Sequence, residues 1–158
     1  MTYSRFLMLP AVLAASLALG GCGLNSSPAD KLTFKAPAGW QGSPGIMGFM
    51  QFWKPSGSKN EVLMLFKSPK ALTTTEVFKN ADLTDAKVKQ QRSIAICGNQ
   101  PAQYYRAVGT SKNGGDSNIE MVMSNENATT YMAMYVYPAG GAANGDAESA
   151  LRELCTKS

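Results

Sequence analysis

The sequence contains no histidine in its 158 residues. That removes the commonest general base and the commonest metal ligand together. Ser–His and Cys–His catalysis are thereby excluded, and no G-x-S-x-G elbow is present. Charge is sparse as well, with Asp, Glu, Lys and Arg making up 16% against 44% apolar residues. This balance belongs to a globular chain rather than a disordered one. The excess of 15 basic over 11 acidic residues is mild, and the lysines are scattered. Lys87 and Lys89 alternate on a predicted strand and read as a solvated face. Nucleic acid is not an expected partner, because that needs clustered Lys and Arg around an aromatic platform. Cysteine is scarce too, with three residues and no C-x-x-C pair.

The one long apolar run is Phe6 to Leu19, after a short N-terminal stretch whose single charge is Arg5. It is too short to cross a bilayer as a stable helix, and Pro10 weakens helix there further. It has the anatomy of an export signal. Leu19-Gly20-Gly21-Cys22 follows, and this resembles the lipobox of bacterial lipoproteins. Cleavage between Gly21 and Cys22 needs small side chains, and the Cys22 thiol would accept the lipid. Buried acyl methylenes, at roughly 0.8 kcal/mol each, would then hold the chain in a bilayer. The expected organisation is a signal peptide over residues 1–21, the lipidated Cys22 with a polar tether over 22–31, and one domain over 32–158. An ordinary signal peptide with an incidental cysteine is the alternative. Without Arg5 the mature chain carries 14 basic and 11 acidic residues, enough for a weak attraction to anionic head groups. Gly23, rather than Asp, after Cys22 favours the periplasmic face of the outer membrane if the host is Gram-negative. The expected partners are the lipid bilayer, through Cys22, and a protein of the envelope.

Cys97 and Cys155 remain, and in an oxidising compartment they are expected to form a disulfide. On the chain-entropy model that closure contributes about 4 kcal/mol. A redox or metal pair is the alternative.

Along the domain, Leu32 to Ala36 alternates as a strand ending at Pro37-Ala38-Gly39-Trp40. Gln41 to Gly45 reads as a loop. Ile46 to Trp53 reads as a strand buried on both faces, and Glu61 to Lys67 as a central strand. Thr73 and Glu76 fit a capping box, with Leu72 and Val77 as its staple, so a short helix is expected from Thr74 to about Ala81. Val88 to Cys97 alternates, with Val88, Gln90, Arg92, Ile94 and Ile96 on one face. Gly98 to Pro101 turns the chain. Ala102–Thr110, Asn118–Ser124 and Thr129–Tyr137 are three further strands, the first two joined by a turn at Lys112 to Asp116. Asp146 is the expected N-cap of a terminal helix whose apolar stripe runs from Ala147 to Cys155. The sum is an α+β domain: an antiparallel sheet of six or seven strands covered by a short helix and a C-terminal helix.

This order, with Phe34, Pro37, Gly39, Trp40, Cys97, Gly98, Tyr135 and Cys155, resembles the PsbP-like fold over Leu32 to Ser158. The resemblance implies an α/β/α sandwich. It carries over no catalytic, metal-binding or Ran-binding motif, so it lends a fold and little else.

Three constellations remain. Tyr131, Tyr135 and Tyr137 share a strand face, which Tyr105 is expected to join, and form a candidate ligand surface; the alternative is core under the terminal helix. Met121, Met123, Met132 and Met134 offer soft thioethers for copper, but read more simply as core. Glu120, Asp116, Asp82 and Asp85 are carboxylates expected near turns or on solvent faces. No cofactor, resident metal or enzymatic activity is expected. The favoured reading is a membrane-anchored binding or accessory module of the envelope. The alternative is an unrecognised envelope enzyme or a copper-handling protein.

Overall fold

The computed structural model describes residues 32–33, 35–46, 50–58, 60–112 and 115–156. The signal segment, the Gly21–Cys22 junction and the tether lie outside the described residues, as does Phe34. Along the chain run β1 (Leu32–Thr33), β2 (Trp40–Ile46), β3 (Met50–Pro55), β4 (Val62–Ser68), α1 (Thr74–Asn80), β5 (Leu83–Ile96), β6 (Gln100–Ser111), β7 (Asp116–Glu126), β8 (Thr129–Pro138), α2 (Gly145–Arg152) and β9 (Cys155–Thr156). Seven strands form one antiparallel sheet in the order β2-β3-β4-β8-β7-β6-β5, so the expected α+β architecture is the observed one.

The sheet buries both faces, one under each helix. Against α1 lie Met64, Tyr105, Ile119, Met121, Met132 and Met134 with Val77 and Phe78 of the helix. Against α2 lie Leu63, Leu65, Tyr104, Val122, Ala133 and Tyr135 with Ala147, Ala150 and Leu151. The period of two along β8 sorts its side chains between these layers. The capping box forms as expected: Glu76 N–H donates to the Thr73 hydroxyl, and the Glu76 carboxylate accepts from Thr73 N–H. Leu72 and Val77 are both buried in the α1 layer. The hydroxyl of buried Thr130 accepts from Leu72 N–H at 2.8 Å, fixing the entry to the helix.

Several expected elements differ. The first strand is confined to Leu32–Thr33 and leaves the main sheet to pair with β9, Thr33 facing Cys155. The expected loop at Gln41 to Gly45 is part of β2, an edge strand that tolerates Pro44 because no outer neighbour needs its amide. Its register breaks between Ser43 and Ile46. Gly42 is there for space: a Cβ would stand 3.0 Å from the indole nitrogen of Trp53 on β3. The strand expected to be buried on both faces is β3, which begins at Met50 and is only half-buried. One place from the edge, it gains little cover from either helix.

At the other edge, β5 starts at Leu83 and carries register shifts between Thr84 and Lys87 and between Val88 and Gln90. The second is a bulge that defeats the expected alternation. Val88 pairs with Ala107 while Gln90 pairs with Arg106, so Val88 lies on the opposite face from Gln90, Arg92, Ile94 and Ile96. Val88 is consequently exposed. The following turn is Cys97-Gly98-Asn99, with Cys97 and Gly98 both at positive φ, and Gln100 and Pro101 already belong to β6. The α2 N-cap is Asn144, two residues before the expected Asp146; its side-chain Oδ1 accepts from Asp146 N–H and Ala147 N–H. Cys155 falls beyond the helix, in β9, where it is bonded to Cys97. The disulfide therefore joins the β5–β6 turn to the small β1–β9 sheet.

Candidate functional site

Under α2 the antiparallel register brings together groups that are distant in sequence. Arg106 on β6 faces Glu120 on β7, and Glu120 faces Tyr135 on β8. Directly opposed residues share a sheet face. Glu120 is therefore not a solvent-facing carboxylate, as expected, but 2% exposed. One of its oxygens accepts from the Tyr104 hydroxyl at 2.6 Å. The other accepts from Tyr137 at 3.3 Å and pairs with the Arg106 guanidinium at 3.1 Å. Arg106 also donates from Nε to the Tyr104 oxygen at 3.0 Å and reaches Glu148 of α2 at 3.4 Å. Arg92 of β5 lies over the Tyr104 ring, 4.6 Å from its centre. A buried carboxylate is tolerable only when its lone pairs are filled, and here three donors fill them.

Next to this cluster, the hydroxyl of fully buried Tyr135 donates to Glu61 and accepts from Asn144 N–H at 3.0 Å. The ring stacks on Tyr137 with centroids 4.7 Å apart. Asn144 thus caps α2 with its side chain and fixes the helix to the sheet with its amide. Burial, reinforced by the Glu120 carboxylate, pushes the Tyr104 hydroxyl up to about 12. Burial and the Glu61 hydrogen bond push Tyr135 further in the same direction. Tyr137 is raised by burial and by the charge of Glu120. All three phenols are thus held as neutral donors.

Of the candidate tyrosines, Tyr135 and Tyr137 are buried together and Tyr131 sits half-buried at the margin, with the Lys67 ammonium 5.7 Å from its ring centre. Tyr105 does not join them. It faces the α1 layer, and Tyr104 takes the place on the α2 side. One residue of register is enough to change the face. Tyr104, Arg106 and Glu120 carry no individual signal in the sequence. Pairing the three strands through their turns, and noticing that Glu120 then falls opposite Tyr135, would have found the carboxylate.

The four methionines fall in the α1 layer, Met121 opposite Met134 and Met123 opposite Met132, all at most 6% exposed. They pack as core, where an unbranched thioether fills irregular space. Asp82 pairs with Lys112 at 3.6 Å in the open, Asp85 is exposed, and Asp116 accepts from the Thr110 hydroxyl at 3.4 Å at the end of the β6–β7 hairpin.

The α2 face is not wholly covered. Beyond the helix, toward the β6–β7 turn, a depression of about 250 Å³ opens between Lys89, Arg106, Val108, Asn118 and Tyr137, with Glu120 in its floor.

No family model matches the chain, and none of the curated proteins does. Seventeen chains of solved structures do match. One is a crystal structure from Bacteroides thetaiotaomicron VPI-5482, at 13% identity over 84% of this chain and with a TM-score of 0.55. This chain spans about half the length of that protein, 47%. Another is the solution structure of cyanobacterial PsbP from Synechocystis sp. PCC 6803, at 17% identity over 76% of this chain and 85% of that one. Its TM-score is 0.47. The first likeness speaks to fold alone. The domain has the α+β architecture implied by the PsbP-like pattern, and a shared fold does not transfer an activity.

Proposed function

We propose that this chain is a lipid-anchored module of the bacterial envelope that acts by binding rather than by catalysis. The observation carrying the binding half is the contrast between Glu120 and its surroundings. The carboxylate has three donors and is sealed from solvent, so it holds the sheet together. The open depression beside it offers polar and cationic groups to a ligand. Anchoring rests on the sequence Leu19-Gly20-Gly21-Cys22 after the apolar leader. The outer-membrane periplasmic face is the proposed site in a Gram-negative host. The described chain enters the domain at Leu32–Thr33, beside Cys155 and its disulfide, so a pull on the anchor would meet a covalently braced corner.

Labelled palmitate tests the anchor: the wild type incorporates it and Cys22→Ser does not. A wild type that stays unlabelled in its native host would sink the anchoring claim. Crosslinking in envelope fractions, wild type against Cys22→Ser, tests accessory binding. A partner captured only by the anchored form is expected, and no envelope partner at all would count against that role.

A further inference from the structure

We propose that the depression between Lys89 and Arg106 is a binding site for a small oxyanion, a carboxylate or a phosphate group. This rests on the reading of the domain as a binding module and names the chemistry of its ligand.

The site exists because of a mismatch of lengths. α2 has eight residues and spans roughly 12 Å at about 1.5 Å per residue. β6 and β7 have twelve and eleven residues and run roughly three times as far, at about 3.3 Å per residue. The helix covers the middle of this face and leaves its β6–β7 end bare.

The charged residues lining the bare end are Lys89, Arg106 and Glu120, and the carboxylate already has its donors. Glu120 is sealed behind Tyr104 and Tyr137, and Glu148 is engaged by Arg106. The Arg106 side chain is still 53% exposed. Its Nε and Nη2 are committed to Tyr104, Glu120 and Glu148, while Nη1 has no partner among the described residues. The guanidinium is thus aimed in advance, which lowers the ordering cost of binding an anion. Lys89 lines the same depression, and no described acid pairs with it.

The backbone supplies an independent observation. The β5 bulge sets two residues, Lys89 and Gln90, against the single Arg106. Bulges re-aim side chains, and this one brings an ammonium to the rim of the depression. Lysines on an edge strand also discourage edge-to-edge pairing, but that role needs no cavity in front of them. A second depression, of about 220 Å³, has one cation, Lys54, against two carboxylates, Glu61 and Asp116, in its wall.

A free ligand and a lipid head group share this chemistry. The depression lies toward the β6–β7 turn, whereas the chain enters the domain beside the Cys97 turn at the opposite end of β6. A soluble source is therefore the expected one.

The test titrates inorganic phosphate into the full chain carrying Cys22→Ser, followed by amide NMR shifts. Saturable shifts at residues 89, 106 and 118 are expected. Lys89→Glu should raise Kd at least tenfold, while Lys79→Glu, the same charge change on α1, should leave it within twofold. Vesicles of phosphatidylcholine with and without phosphatidylglycerol form the second arm. A Lys89-dependent response to phosphate assigns a soluble ligand. Lys89-dependent retention on the anionic vesicles alone assigns a head group, and supports the same site. Failure of both probes, or equal loss with Lys79→Glu, overturns the proposal. Palmitate labelling of the wild type is unaffected by either result, so this site and the anchored-module reading fail separately.

Discussion

Replacing Glu120 with alanine should cost about 2–5 kcal/mol of stability. The Tyr104 hydroxyl, on a residue 3% exposed, loses its 2.6 Å acceptor and no water easily replaces it. A buried donor left unsatisfied costs about 1–3 kcal/mol. Tyr137 loses a weaker 3.3 Å acceptor at the edge of the depression, where water can substitute, and costs roughly 0.5–1 kcal/mol. The one buried methylene that is lost adds about 0.8 kcal/mol. Arg106 adds little, because with a side chain 53% exposed it can turn to solvent. Glutamine keeps the shape and one acceptor, and should cost about 1–2 kcal/mol. Urea unfolding at neutral pH measures both changes, through a shift of midpoint at unchanged slope. A double-mutant cycle of Glu120→Gln with Tyr104→Phe should return a coupling of about 1 kcal/mol or more. If Glu120→Ala costs less than about 1 kcal/mol, or the cycle shows no coupling, the carboxylate is not the keystone inferred from its burial.

Reducing the Cys97–Cys155 bridge, which spans 58 residues, should lower stability by about 4 kcal/mol; a loss below about 1 kcal/mol in matched oxidised and reduced urea curves would contradict the chain-entropy account. Alkaline titration should destabilise the fold between about pH 10 and 12, because unfolded tyrosine ionises near 10 while folded Tyr104 keeps its proton until about 12. The unfolded chain then binds fewer protons, so this contribution is complete below pH 10 and lost as pH rises through the folded value; a Tyr104→Phe variant losing as much stability as wild type between pH 10 and 12 would refute it. Asn144→Ala should cost about 1 kcal/mol by removing the acceptor of two amides at the start of α2, and a melting temperature unchanged from wild type would count against the cap.

Local rules were legible where one face of an element decides its conformation. The α1 capping box and the two layers carried by β8 follow from spacing alone. Legibility failed at both sheet edges. The segment Gln41 to Gly45 has loop composition, yet it pairs, because an edge strand needs hydrogen bonds on one side only. The alternation from Val88 to Ile96 is regular in the sequence and broken in the sheet, because a bulge is a property of two strands together. The placing of Tyr105 with the other tyrosines, and of Glu120 in solvent, failed for a related reason: alternation says which residues share a face, but not which faces meet.

By itself, the sequence determined the domain class, the pair of cysteines available for a bridge, the α1 cap and the lipobox pattern ending at Cys22. Each of these is written in residues close together or in a bare count. The tertiary structure decided that Tyr104, Arg106, Glu120 and Glu148 form one cluster, and that Lys89 and Arg106 line one open depression. Those contacts depend on strand register, on one bulge and on the length of a helix relative to its sheet. Register is set by the packing of all strands at once, and no single segment encodes it.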